Sequence, residues 1–391
     1  MGKTFQTVLK QPTTIVGIVI AIVFQLVFSI IWMTGYKGIT DNTNKLVIAI
    51  VNEDSGLGKT LVEGLSSNLP FQVTKLEQLS DAQQKLDERK FHMVLHVSSD
   101  FSKQLQTPGQ TAMIHYYINE SNPQLIKSVM QSVSTNITAI ANKQAIAAGA
   151  QAALQQVNPQ LPADRAAPIA SGLSERVVSD VQSSNKVTGM HNQMVPMMLV
   201  LASYVGAMIM AQNVQISMNI AGAQLGKWPV FGVRVVLNIG SAIVVSLVAT
   251  AMVHALGGQS VVSFATMWGF LALVMVSFMF FAQMFLILFG NAGMILNIIM
   301  LSAQLVSSGA MVPRELLNGF YHGISTYLPA TYAVEGNMDI LFGGPSLGAS
   351  AISLLLITVV CFGVCVLGVA VRRERRSEQG AGARTNVQPT A

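Results

Sequence analysis

The chain is predicted to be an α-helical polytopic membrane protein, with six transmembrane helices and an α/β extracellular domain inserted between helices 1 and 2. Three observations predict this. Of 391 residues, 51% are hydrophobic and only 10% charged, whereas globular domains average about 25% charged. No Asp, Glu, Lys or Arg occurs between Arg234 and Arg314, and so long an uncharged run belongs in lipid. Tyr36 to Gln193, in contrast, carries 13 basic and 13 acidic residues, an ordinary water-facing composition. Together these features exclude a cytosolic enzyme, a disulfide-stapled secreted domain and, despite a formal net charge of +5, a nucleic-acid binder. Cys361 and Cys365 lie in an apolar stretch and mark neither a redox compartment nor a metal site.

The first span is Thr14 to Met33, which reaches the roughly 20 apolar residues a crossing needs. It is too long for the apolar core of about 7–15 residues in a cleaved signal peptide, so it is expected to be retained. Five further apolar runs follow: Met194 to Met210, Val235 to Leu256, Phe264 to Phe289, Met294 to Met311 and Leu347 to Val371. Residues 1–35 therefore hold an N-terminal elbow and the first helix, 36–193 the inserted domain, 194–371 five helices, and 372–391 a basic tail.

Lys and Arg beside short loops set orientation. An even number of spans puts both termini on one side, with Lys3, Lys10, Lys227, Arg234 and the tail arginines, for a net +7; the opposite short segments net −2. Both termini are expected to be cytoplasmic in a multi-pass plasma-membrane protein, with 36–193 outside and Arg372 to Arg376 as a stop-transfer anchor.

Within the inserted domain, Leu46 to Val51 is a β-branched apolar run followed by the turn-formers Asn52 to Gly56. A helix is expected from Lys59 to Leu65, then a strand Phe71 to Thr74, a helix Ser80 to Arg89 with Ser80 as N-cap, and strands Phe91 to Val97 and Met113 to Ile118. Leu125, Val129, Val133, Ile137 and Ile140 recur at helical spacing and predict one long helix from Pro123 to Gln156. A weaker helix near Ala170 to Val181 leads back to the membrane.

Gly58-Lys59-Thr60 imitates the end of a phosphate-binding loop, but Glu53 stands where that loop needs its first glycine, and a carboxylate there repels phosphate. His92 and His96 alternate with apolar residues along a strand and are expected on its more solvated face. His115, the one nearby candidate third metal ligand, falls on another strand.

Ion-driven carriers keep ionisable groups inside their helices. The inner spans here offer none beyond His254, so any transport must be powered from outside the chain. Their polar residues Asn238, Gln283, Asn297, Gln304 and Ser307 are expected to bond between helices, and are the candidates for a translocation path. Residues 212–228 interleave Gln, Asn and Ser with Ile216, Met218 and Ile220, as a short amphipathic helix against a partner or membrane surface would. Residues 312–345, with Pro329, Tyr332 and Glu335, are too polar to span and too apolar for a loop, which fits a re-entrant or interfacial hairpin.

Several short motifs carry a resemblance: Val51-Asn52-Glu53-Asp54-Ser55-Gly56, Ser98-Ser99-Asp100-Phe101-Ser102, Phe289-Gly290-Asn291-Ala292-Gly293, Gln304 to Gly309 with Pro313, and Leu328-Pro329-Ala330-Thr331-Tyr332-Ala333-Val334. In this order the chain resembles the phage-infection-protein branch of the type 2 ABC transporter (ABC-2) permeases over nearly its whole length. The resemblance implies a homodimeric or paired permease in the lipid bilayer, served by a separate cytoplasmic ABC ATPase that holds the ATP and Mg. It makes 212–228 the coupling segment, with Gln215, Asn219, Gln224 and Lys227 toward the ATPase, and residues 3–12 an elbow helix. It leaves no catalytic, cofactor or metal residue in this chain. The expected function is export of an amphiphilic or hydrophobic compound, a drug, lipid or peptide. The alternative is a non-transporting surface protein acting as phage receptor or secretion accessory.

Overall fold

The computed structural model describes residues 30, 31, 34, 39–107, 110–156, 176–221 and 226–371. The expected elbow, nearly all of the first span, residues 222–225 of the coupling segment and the basic tail fall outside these residues.

The inserted domain is a five-stranded mixed sheet of order β2-β1-β3-β4-β5. Its strands are β1 (Val47–Asn52), β2 (Gln72–Leu76), β3 (Met93–Val97), β4 (Ala112–Asn119) and β5 (Val177–Ser184). β1 runs parallel to β2 and β3, β4 antiparallel to β3, and β5 parallel to β4. Its helices are α1 (Leu57–Asn68), α2 (Leu79–Asp87), α3 (Phe101–Gln106) and α4 (Gln124–Gln156). β1 and β3 are buried on both faces, which is why they read as unbroken apolar runs. Ile48, Ile50, Met93, Leu95, Ile114 and Tyr116 form one core with Leu61 and Leu65 of α1 and Ile126, Met130 and Ile137 of α4. On the opposite face Ala49, Val51 and Val94 pack against Ala82 and Leu86 of α2.

Three expectations are corrected here. The weak helix near Ala170 to Val181 is not formed over its described part: Val177–Ser184 is a strand, because the open edge of β4 offers an eight-residue ladder and Asn142 of α4 fixes its start, accepting from Arg176 and Val177 N–H and donating to Val177 C=O. Ser80 is not an N-cap; α2 begins at Leu79 with Gln78 in the cap position. His92 and His96 are buried rather than solvated, since both faces of β3 are covered.

The second half of the chain is helical: α5 (Gly189–Ala221), α6 (Lys227–Ala255), α7 (Phe264–Phe289), α8 (Gly293–Ser307), α9 (Gly319–Ser325), α10 (Pro329–Phe342) and α11 (Leu347–Val371). Four stretches among the described residues are long and apolar enough to cross a membrane: His191–Met218, Lys227–Ala255, Phe264–Ser307 and Leu347–Val371. Against the expected six, the run Thr14 to Met33 lies almost wholly outside the described residues, and α7 and α8 belong to one stretch. That stretch is folded in two. At Gly290, φ is +63°, and α8 returns along α7 so closely that a Cβ on Gly293 would sit 2.3 Å from the Phe285 carbonyl oxygen. Its 15 residues extend only about 22 Å at the helical rise, short of the roughly 30 Å hydrocarbon core. α7 is the hub, packed against α5, α6, α8, α10 and α11.

Two further readings change. Residues 212–221 continue α5 instead of forming a separate short helix. Arg234, expected beside the membrane, lies inside α6 and is 5% exposed.

Candidate functional site

The inward stripe of α6 is its polar one: Arg234, Asn238, Ser246 and Thr250 are buried, with Phe231 and Ala242 among them, while Val236, Val244 and Val248 point out. This is the pattern of a helix with lipid on its outer side. Gln283 of α7 donates to Asn238 Oδ1 at 2.7 Å. The second amide atoms of the pair, Asn238 Nδ2 and Gln283 Oε1, are buried without a partner. Asn297 of α8 donates to the Ala282 carbonyl at 3.1 Å and accepts from the Tyr204 hydroxyl at 3.4 Å, joining α5, α7 and α8. Gln304 accepts from Ala330 N–H at 3.1 Å and so caps α10, whose first residue is Pro329. Ser307 Oγ is buried and has no partner. The structure thus brings the five polar span residues into the packed interior. There Asn238 and Gln283 pair with each other, Asn297 and Gln304 bond other helices, and Ser307 Oγ has no partner.

The segment after α8 forms a second polar junction. Arg314 donates to Glu335 Oε1 at 2.8 Å and to Ser325 Oγ at 3.0 Å. Burial pushes the Glu335 carboxyl above the usual range, with Arg314 pulling the other way. Tyr332 donates to the Thr326 carbonyl at 2.8 Å across the α9–α10 turn. Gly336 presses on α7 so tightly that its Cβ would lie 2.1 Å from Phe270 Cζ. Phe320 and Tyr327 project outward, 68% and 78% exposed.

At the other end of the bundle, Gln215 is turned inward and accepts from Arg234 Nη2 at 3.0 Å. Lys227 donates to the Ala370 carbonyl at 3.1 Å, a favourable place for a cation at the end of α11. Gln224 and the side chain of Asn219 fall outside the described residues.

Two partnerships escaped the sequence reading although each motif was noticed. Asp54 of the first extended motif accepts from the N–H of Gly56 and Gly58, both at 2.9 Å, and from Ser102 of the second. Gln304 of the fourth motif meets Ala330 of the fifth. The Gly58 of the false phosphate loop is a glycine because a Cβ would meet Asp54 Cβ at 2.8 Å and Val97 Cγ1 at 2.9 Å. His96 and His115 stand opposite each other in register, with ring centroids 5.7 Å apart. His115 bonds Asp180 at 2.7 Å, and no group of three or more ligating side chains among the described residues can hold a metal ion.

Four helical stretches long and apolar enough to cross a membrane, preceded in the chain by a mixed-sheet domain, define a multi-pass membrane protein. Residues 13–367 match the ABC-2 family transporter proteins. The chain belongs to that family, and is a transport subunit. No curated protein matches it. Among solved structures, a domain assigned to an ABC type-2 transporter of Thermotoga maritima MSB8 is similar at 16% identity, covering 35% of this chain and 86% of that one, with a TM-score of 0.26.

Proposed function

We propose that the chain is the permease subunit of an ATP-driven exporter of amphiphilic or hydrophobic compounds, with six spans, both termini cytoplasmic, the α/β domain outside, and a separate ABC ATPase supplying the energy. The observation that carries this reading is the uncharged run from Arg234 to Arg314. A transport protein whose inner helices hold no carboxylate or lysine has nothing there to couple to an ion gradient, so the work enters through a docked motor. The family supports an ATPase partner. The basic flanks support a partner on the side of Lys227, with the end of α5 and the start of α6 as the coupling segment 212–228. Residues 312–345 act as a re-entrant hairpin, and the chain pairs with a second permease. Asn238, Gln283, Asn297, Gln304 and Ser307 reach cargo only when their helices part, since all five are closed in this state.

Transport of a fluorescent amphiphile into inverted vesicles tests the proposal. Uptake should require both a partner ABC ATPase and nucleotide, and scrambling 212–228 should abolish co-purification of the permease with that ATPase. Uptake without any ATPase overturns the motor. A phage-binding or secretion phenotype that survives ATPase deletion favours the surface-protein alternative.

A further inference from the structure

One of the points that fasten the α/β domain to the bundle is strained. Arg89, in the turn after α2, uses its whole guanidinium there: Nη1 meets Asp339 Oδ1 at 2.6 Å, Nη2 donates to the Gly343 carbonyl at 3.0 Å, and Nε donates to Ser121 Oγ at 3.0 Å. Asp339 is buried at the end of α10. Arg89 (φ +57°) and Asn185 (φ +47°) are the only non-glycine residues with positive φ among the described residues, and Gly343 is at +94°. All three meet here. Asn185 Oδ1 lies 3.4 Å from where a Gly343 Cβ would start, and a Cβ on Gly344 would fall 2.2 Å from Asp339 Oδ1. Turns from the α2–β3 and β5–α5 connections thus close on the α10–α11 turn. Backbone held in uncommon regions persists only where the surroundings impose it.

A second, softer contact lies one turn earlier along α10. The core of the α/β domain continues into Val306, Val312, Leu316, Leu317 and Tyr321, and α10 is tied to that segment through Arg314 and Glu335. Glu335 and Asp339 are one turn apart on one face of α10, each gripped by an arginine from a different part of the chain.

We infer that Arg89 is a latch that fixes the α/β domain to the α10–α11 turn, so that the outer end of α10 and the domain move as one body. It rests on the permease reading only for what the movement serves: a domain that tilts must carry α10 with it, and α10 lies against the hub helix at Gly336. Without the guanidinium, the apolar contact and the bonds from Asn42 to the Leu316 carbonyl and from Lys127 to Gln193 still tie the domain to the hairpin segment and to α5, but none of them reaches the α10–α11 turn, and the domain is free to rock against it.

The test uses the full chain in nanodiscs, without ATPase or cargo, so that its failure is independent of the transport proposal. Spin labels are placed at Glu63→Cys on α1 and Ile352→Cys on α11, in a Cys361→Ser/Cys365→Ser background. The interlabel distance distribution is measured beside amide exchange at Ile340 to Gly343. Arg89→Ala should broaden the distribution and raise that exchange by about tenfold or more. Gly344→Ala, which attacks the latch from the bundle side and leaves the domain sequence intact, should do the same. If Arg89→Ala unfolds the domain, seen as lost exchange protection of β1 and β3, Gly344→Ala decides alone. Unchanged distances and exchange in a folded Gly344→Ala protein overturn the latch and leave the apolar contact and the Asn42 and Lys127 bonds as the fasteners.

Discussion

The Asp54 carboxylate accepts both the backbone N–H of Ser102, at 3.1 Å, and its hydroxyl, at 2.5 Å. Two loops 48 positions apart, at the carboxyl ends of the parallel strands β1 and β3, are thereby closed into one knot, and Gly56 and Gly58 supply two further N–H groups to the same carboxylate. A buried carboxylate satisfied in this way holds its neighbours by charge-assisted bonds worth about 1.5–3 kcal/mol each in mutational terms. Asp54→Asn should therefore destabilise the α/β domain by about 2 kcal/mol, read as faster exchange of the Gly56 and Gly58 amides in the full chain. Ser102→Ala should cost less, because the backbone N–H bond survives. Equal loss from both would show that the hydroxyl alone matters.

The same carboxylate sets an acid limit. Burial acts to raise its pKa, but the hydrogen bonds from Ser102, Gly58 and Gly56 outweigh it and hold Asp54 below the ordinary value of 3.8. A group depressed in the folded state stabilises above its unfolded pKa, and the contribution is lost as pH falls through the folded value. Asp100 and Asp180 are lowered by hydrogen bonds from Ser98 and Gln182 and share this sign. Stability of the domain should thus fall as the pH drops below about 4, and Asp54→Asn should show a shallower slope without abolishing it. Thermal unfolding between pH 6 and 3, followed by strand circular dichroism, measures the slope.

The sequence showed where the membrane helices lie more fully than how the domain is tied together. α7 was legible to the residue because a 26-residue apolar segment has no competing structure. β1, β3 and α4 were legible from their apolar runs and spacing. β5 was not: Val178 and Val181 are exposed, so no alternation marks a strand, and it exists because β4 presents an edge and Asn142 a clamp. His96 was misplaced for a related reason. Its strand alternates in chemistry but is covered on both sides, and burial by another element leaves no trace in local periodicity. The site was half legible. The polar span residues could be picked out, yet their pairing depends on helix rotation, and the link from Arg89 to Asp339 joins positions 250 residues apart that share no local pattern.

Gly336 meets Phe270 with no room for a methyl group: the added Cβ would lie 2.1 to 2.8 Å from three ring carbons. Gly336→Ala should push α10 off the hub helix and cost about 1–3 kcal/mol, the usual effect of overpacking. Phe270→Leu in the same chain should return most of it. The check is the detergent-solubilised melting temperature of both variants. A single variant as stable as the parent would mean that α10 shifts without resistance, and would weaken its placement against α7.

Asn238 and Gln283 form one hydrogen bond at 2.7 Å between α6 and α7 in the packed interior. Removing one partner strands the other amide away from water, whereas removing both with apolar residues of similar shape leaves nothing unpaired. Asn238→Leu or Gln283→Leu alone should destabilise the bundle by about 1 kcal/mol, since interhelical bonds in membranes average about 0.6 and reach about 1.7 kcal/mol. The double variant should be no worse than either single one. Unfolding in mixed micelles gives the coupling from the four proteins of the cycle. Additive losses would remove the pair as a structural bond. A stable double variant that has lost uptake in the vesicle assay would instead assign the two amides to cargo, because packing would by then have been shown intact.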